Sequence, residues 1–115
     1  MTELRESGGR PRLLLVESQG RTASDAAFRR DAVAQVLAGH SVTLLLIQDA
    51  AALSVPGSDT GLDRFQKEGG LLAADRFSLA QRGLDQAAFR DGLRVVDMDE
   101  VGGWVLDPDV RVVWH

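Results

Sequence analysis

Three segments of this sequence gather side chains able to do chemistry, and each lies just past a short apolar run: Glu17–Arg21, Gln48–Ala50 and Asp75–Ser78. Asp49 and Asp75 stand out among them. Two carboxylates at two strand ends can divide acid and base roles, or hold magnesium through oxygen ligands. A plainer role, each capping the turn that follows it, is the weightier expectation. Gln48 and Ser78 belong to the same set of strand-end positions. Arg76, Gln81 and Arg82 lie in the polar stretch beyond Asp75, where they either grip an anion or simply face solvent.

What is missing narrows the chemistry further. The chain has no cysteine, so thiol nucleophiles, thiolate metal ligands and disulfides are excluded. Ser18–Gly20 is not a G-x-G-x-x-G fingerprint, and no phosphate-binding loop pattern occurs, so nucleotide binding has no support. Histidine occurs only at His40 and His115, and neither shows the partner spacing of a triad or a metal site. No catalytic residue, metal or cofactor is assigned. Thirteen basic residues against seventeen acidic ones give a net charge of −4. No basic excess is left to hold a phosphate backbone, which argues against autonomous nucleic-acid binding. The longest apolar run, Val42–Ile47, falls far short of the roughly 20 residues that span a bilayer. The expectation is a cytoplasmic protein with no membrane segment.

At 115 residues the chain fits one domain with a core of its own. Residues 1–11, with Gly8, Gly9 and Pro11 among charges, read as a flexible leader, and residues 12–115 as a single α/β domain. The organising stretch is His40–Asp49: its run from Ser41 to Ile47 is apolar on both faces, as in a parallel sheet buried between helices. Arg12–Glu17 is a strand before it. Between them, Thr22 or Ser24 caps a helix whose Phe28, Ala32, Val33, Val36 and Leu37 share one face, while Arg29, Asp31 and Gln35 point away. That helix ends at Gly39. Ala50–Leu53 suits one helical turn and Ser54–Thr60 a loop. Leu62–Glu68 is a short helix with Leu62 and Phe65 inward, stopped by Gly69-Gly70. Leu71–Asp75 is a third strand, and Phe77–Gly83 reads equally as helix or irregular chain. Asp85 suits a helix cap, with Leu84 and Phe89 closing as a staple and Gly92 as the stop. Leu93–Asp97 is a fourth strand. Asp97 with Glu100 resembles a capping box for a helix through Trp104–Leu106, in which Gly102-Gly103 are explained by close backbone packing. Asp107-Pro108-Asp109 turns the chain into a last strand, Val110–Trp114. Trp104 and Trp114 are expected as core or interface anchors.

These elements line up with a known pattern: Leu46-Ile47-Gln48-Asp49, then Leu72-Ala73-Ala74-Asp75 leading into Leu79-Ala80-Gln81-Arg82-Gly83-Leu84, then Val95-Val96-Asp97, and a terminus closing on Trp114. The pattern resembles the DsrE/DsrF/DsrH superfamily, and most of all its DsrH/TusB branch. The resemblance implies a three-layer α/β/α sandwich on a mainly parallel sheet of about five strands. It also implies assembly into trimers and hexamers, and a part in sulfur relay to sulfur oxidation or to tRNA 2-thiouridine. Relay members hold a persulfide on a cysteine just after the third strand, a position that matches Asp75 here. A carboxylate does not carry sulfane sulfur. The TusB-like branch also lacks that cysteine, so the resemblance implies a companion subunit beside DsrE/DsrF-like (TusC/TusD-like) partners, or a self-associating relative. The alternative, from the residues alone, is a stand-alone enzyme or small-ligand domain using the strand-end crevice near Asp49 and Asp75. Candidate ligand or interface residues are Gln48, Asp49, Asp75, Arg76, Ser78, Gln81, Arg82 and Trp114.

Overall fold

The structure is a computed structural model and describes residues 11–115; the expected leader, Pro11 apart, lies outside them. Five strands, β1 (Arg12–Glu17), β2 (Val42–Leu46), β3 (Leu71–Asp75), β4 (Arg94–Val96) and β5 (Val110–Trp114), form one sheet in the order β4-β3-β2-β1-β5. Every neighbouring pair is parallel. The expected α/β fold on a parallel five-stranded sheet is therefore the one adopted, and β2 is its central strand. Leu44, Leu45 and Leu46 of β2 are at most 1% exposed.

Among the described residues, four helices of α type accompany the sheet: α1 (Ala23–Leu37), α2 (Thr60–Lys67), α3 (Arg76–Gln81) and α4 (Met98–Leu106), with a 3-10 segment over Gln48–Ser54. They are unevenly divided. Phe28, Ala32 and Val33 of α1, Leu62 and Phe65 of α2, and Leu79 of α3 pack on one face against Leu13, Leu15, Val42, Leu44, Leu46, Leu72 and Ala74. On the other face, among the described residues, α4 alone contributes, through Val101 and Trp104, against Leu14, Val16, Leu45, Ala73 and Val96. The cause is topological. The chain steps from β1 to β4 in one direction, and right-handed crossovers put those connections on one side. Only the return from β4 to β5 crosses the opposite face.

Local chemistry sets the boundaries. Of the two expected caps, Thr22 is the one used: its Oγ1 accepts from Asp25 N at 3.1 Å, and Asp25 Oδ2 accepts from Thr22 N at 2.9 Å. Asp97 Oδ1 caps α4 by accepting from Glu100 N at 3.0 Å. The box is only half closed there, because the Glu100 carboxylate pairs with Arg94. After α2, Gly70 admits the Phe65 ring, whose Cζ lies 2.3 Å from where a Cβ would stand.

Four sequence expectations are corrected. Arg29 is buried, at 6% exposure, and Leu37 is 55% exposed, so the inward face of α1 is rotated toward the charged side. No helix forms between Asp85 and Gly92; the chain runs there through turns. A tertiary network outcompetes the local cap: Arg90 N donates to Ser54 O at 2.9 Å, and its guanidinium donates to Leu53 O at 2.8 Å, Asp63 Oδ1 at 2.5 Å, and Ser58 Oγ and Asp59 O, both at 3.0 Å. Leu84 and Phe89 still pack against the core. Finally, Gly102 and Gly103 are not closely packed, since nothing lies within 4 Å of a Cβ built on either. No helix among the described residues is long and apolar enough to cross a membrane.

Candidate functional site

In an open parallel sheet a crevice forms where successive strand ends send their connections to opposite faces. Here that point lies between β3, whose connection α3 packs on the many-helix face, and β4, which leads to α4 on the other. An open cleft of about 500 Å³ occupies it, lined by Asp75, Arg76, Phe77, Ala80, Asp97, Met98 and Asp99.

Asp75 is the deepest polar group of this cleft, at 5% exposure. Its Oδ2 accepts from Ser78 N at 3.0 Å and from Ser78 Oγ at 2.7 Å, capping α3. Ser78 Oγ in turn accepts from Gln48 N at 2.8 Å. This relay of hydrogen bonds ties the end of β3 to the end of β2 and helps hold Gln48 at φ 51°, a left-handed conformation uncommon for a side-chain-bearing residue. Asp75 Oδ1 is buried without a partner.

Asp49 goes elsewhere. Its Oδ1 accepts from Arg82 Nη2 at 2.8 Å and Nε at 3.2 Å, and these hydrogen bonds, with the Arg82 charge, hold its carboxyl below the usual range. Arg82 also donates to Ser78 O at 3.3 Å. Gln48, Asp49, Asp75, Ser78 and Arg82 are thus brought into one connected cluster, but the two carboxylates serve different partners and make no acid-base pair with each other. The capping role expected of Asp75 is observed, whereas Asp49 is clamped by an arginine instead of capping. Arg76 is exposed, with Nη1 3.9 Å from Asp97 Oδ2, and the Gln81 side chain is exposed. Trp114 stands apart on β5, opposite Val16, and is 62% exposed. Among the described residues no group of three or more His, Cys, Asp or Glu is placed to hold a metal ion.

Sequence reasoning named Glu17–Arg21 as a strand-end segment but missed the charged cluster that Glu17 forms there with Arg29. Glu17 is fully buried; Arg29 Nη1 donates to its Oε2, while Oε1 has no partner. Arg29 Nη1 also reaches Gly20 O at 3.4 Å, and its Nε lies 3.3 Å from Asp59 Oδ2. Burial pushes the Glu17 carboxyl up to about 7; Arg29 opposes the shift and the Asp25 and Asp59 charges add to it. Beside this cluster, His115 Nε2 lies 3.0 Å from Asp25 Oδ1 and 3.1 Å from Ser24 Oγ, and its ring stacks on Phe28 with centroids 4.7 Å apart. Both contacts fall on one ring nitrogen, so this is no proton-relay triad, which uses both. Thr22 hydrogen bonds above all keep the Asp25 carboxyl low. The readable signal was the Asp25-Arg29-Val33 spacing of four, which puts Arg29 on the line of Val33 and below it Asp25.

No family model matches this sequence, and no curated protein matches it. Solved structures do. The ychN protein from E. coli superposes with a TM-score of 0.80 over 91% of this chain and 99% of its own, at 16% identity. The fold of this chain is that of the ychN protein. MTH1491 from Methanobacterium thermoautotrophicum, a protein of unknown function, matches with a TM-score of 0.74 over 90% of this chain and 99% of its own, at 11% identity. At such identities the likeness is one of fold.

Proposed function

We propose that this chain is a DsrH/TusB-like companion subunit of a sulfur-relay assembly, serving sulfur oxidation or tRNA 2-thiouridine formation without carrying persulfide itself. The observation that carries this reading is Asp75. The residue at the position matching the relay cysteine is a carboxylate committed to capping α3, in a chain with no thiol anywhere. Sulfur relay needs a thiolate that attacks and is regenerated, so the sulfur must travel on partner subunits of DsrE/DsrF-like type. The cleft beside Asp75 then serves contact, not transfer.

The test is incubation with a cysteine desulfurase and labelled cysteine, followed by intact mass measurement. This chain is expected to gain no sulfur, alone or co-purified with cysteine-bearing DsrE/DsrF-like subunits that do. A sulfur adduct on this chain, or failure of any such subunit to associate with it, overturns the proposal. One observation favours a second reading, a small-ligand domain: the buried, unpartnered Asp75 Oδ1 beside a cleft of about 500 Å³ is an open hydrogen-bonding position.

A further inference from the structure

Helix α4 is apolar on two sides. Inward it presents Val101 and Trp104 to the sheet. Outward, Asp99, Gly102, Gly103 and Leu106 fall at i, i+3, i+4 and i+7, a single line along the helix, with Met98 and Val105 flanking it. Leu106 is 83% exposed, Met98 51% and Val105 41%, and the two glycines leave open space above the backbone. An exposed cluster of large apolar side chains on a helix commonly marks an interaction surface. At its head the line runs into the cleft between β3 and β4, where Met98 and the 66%-exposed Phe77 form apolar walls and Asp97, Asp99 and the cation Arg76 line the rim.

We propose that this outer face of α4, with the Phe77–Met98 cleft at its head, docks a basic amphipathic helix of a partner protein. Charge selects the occupant. Glu100 and Asp107 are neutralised by Arg94 and Arg12, and the nearest cation to Asp97 is Arg76 at 3.9 Å. Asp99 on the face and Asp109 in the turn that follows the helix have no ion-pair partner among the described residues. A second copy laid antiparallel sets Asp99 against the other chain's Asp107–Asp109 turn, and laid parallel sets Asp99 against Asp99. Both juxtapose like charges, so a partner of opposite charge is favoured. Seven residues separate Asp99 from Leu106, about 10 Å along the axis. The partner helix therefore carries a lysine or arginine about two turns from an apolar anchor. The glycine pair lets its backbone come closer than the usual helix spacing of about 8–10 Å.

The surface stands independently of the sulfur-relay reading, and its test uses no sulfur donor. The full chain is titrated calorimetrically with a synthetic amphipathic peptide bearing leucines at i, i+3, i+4 and i+7 and lysines two turns apart, and with its twin bearing glutamate for lysine. The lysine peptide is expected to bind, and the glutamate twin at least about tenfold more weakly. Asp99→Lys and Leu106→Ser each weaken the lysine peptide. The decisive variants are Gly102→Ala and Gly103→Ala, because their two effects run in opposite directions. Each raises the melting temperature, by roughly 5 °C, since alanine favours helix over glycine, while its methyl group holds the partner off and lowers affinity about tenfold. Absence of binding, equal binding of the two peptides, or unchanged affinity in the glycine variants overturns the proposal. So does a wild-type oligomer that Leu106→Ser converts to monomer, which assigns the face to a second copy.

Discussion

Glu17 is the residue whose environment has the sharpest consequence in solution. Its carboxyl titrates near 7 in the folded chain against an ordinary value of 4.5, so between those values the native state binds the extra proton. Stability from this group is complete below about pH 4.5 and is lost as pH rises through about 7. Melting curves of wild type and Glu17→Gln from pH 5 to 8 should therefore separate as pH rises, the wild type losing stability relative to the variant; parallel curves would show that the buried carboxylate does not titrate there. Gly70 makes a steric prediction. A methyl group at this position meets the Phe65 ring, and because Phe65 is itself fully buried, Gly70→Ala should cost about 2 kcal/mol in denaturant unfolding. The strand-end carboxylates were readable as candidates because apolar runs stop at them. Their partners were not: nothing near Asp49 in sequence indicates Arg82, 33 positions away.

At the scale of elements, the segment from Leu84 to Gly92 shows local and tertiary signals in conflict. Asp85 has the residue type and spacing of a helix cap, yet the chain there takes turns because Arg90 satisfies the carbonyls of Leu53 and Asp59. Arg90→Ala should then cost roughly 3 kcal/mol, charged hydrogen bonds being worth more than neutral ones, and hydrogen exchange should lose protection in this segment first. Asp85→Ala should stay within about 0.5 kcal/mol of wild type, whereas Asp97→Ala, which removes a working cap, should cost about 1 kcal/mol. Equal losses at Asp85 and Asp97 would reinstate the helix. The strands were legible because their cores are continuous apolar runs. The turn segment was not, because an arginine's partners are chosen in three dimensions.

For the whole molecule the uneven covering of the sheet matters most. Trp114 stands 62% exposed at the end of an edge strand, so the described residues do not bury it, and a neighbouring subunit provides the cover in our reading of the protein as a self-associating or partnered subunit. Buried interface tryptophans are worth about 2 kcal/mol or more on truncation. Light scattering should accordingly report an oligomer for wild type and smaller species for Trp114→Ala; a monomeric wild type leaves a hetero-complex as the surviving form. The amino-acid order by itself determined the α/β class, the central place of β2, the cap of α4 and the absence of thiol chemistry, because each follows from local periodicity, local hydrogen bonding or composition. Tertiary structure alone decided that, among the described residues, three α-helices pack on one face and one on the other, that Arg29 turns inward to Glu17, that Asp49 and Asp75 part company, and that α4 keeps an open apolar face. Those outcomes depend on crossover handedness and on which side chains meet across the sheet, and neither is encoded within any one stretch of the chain.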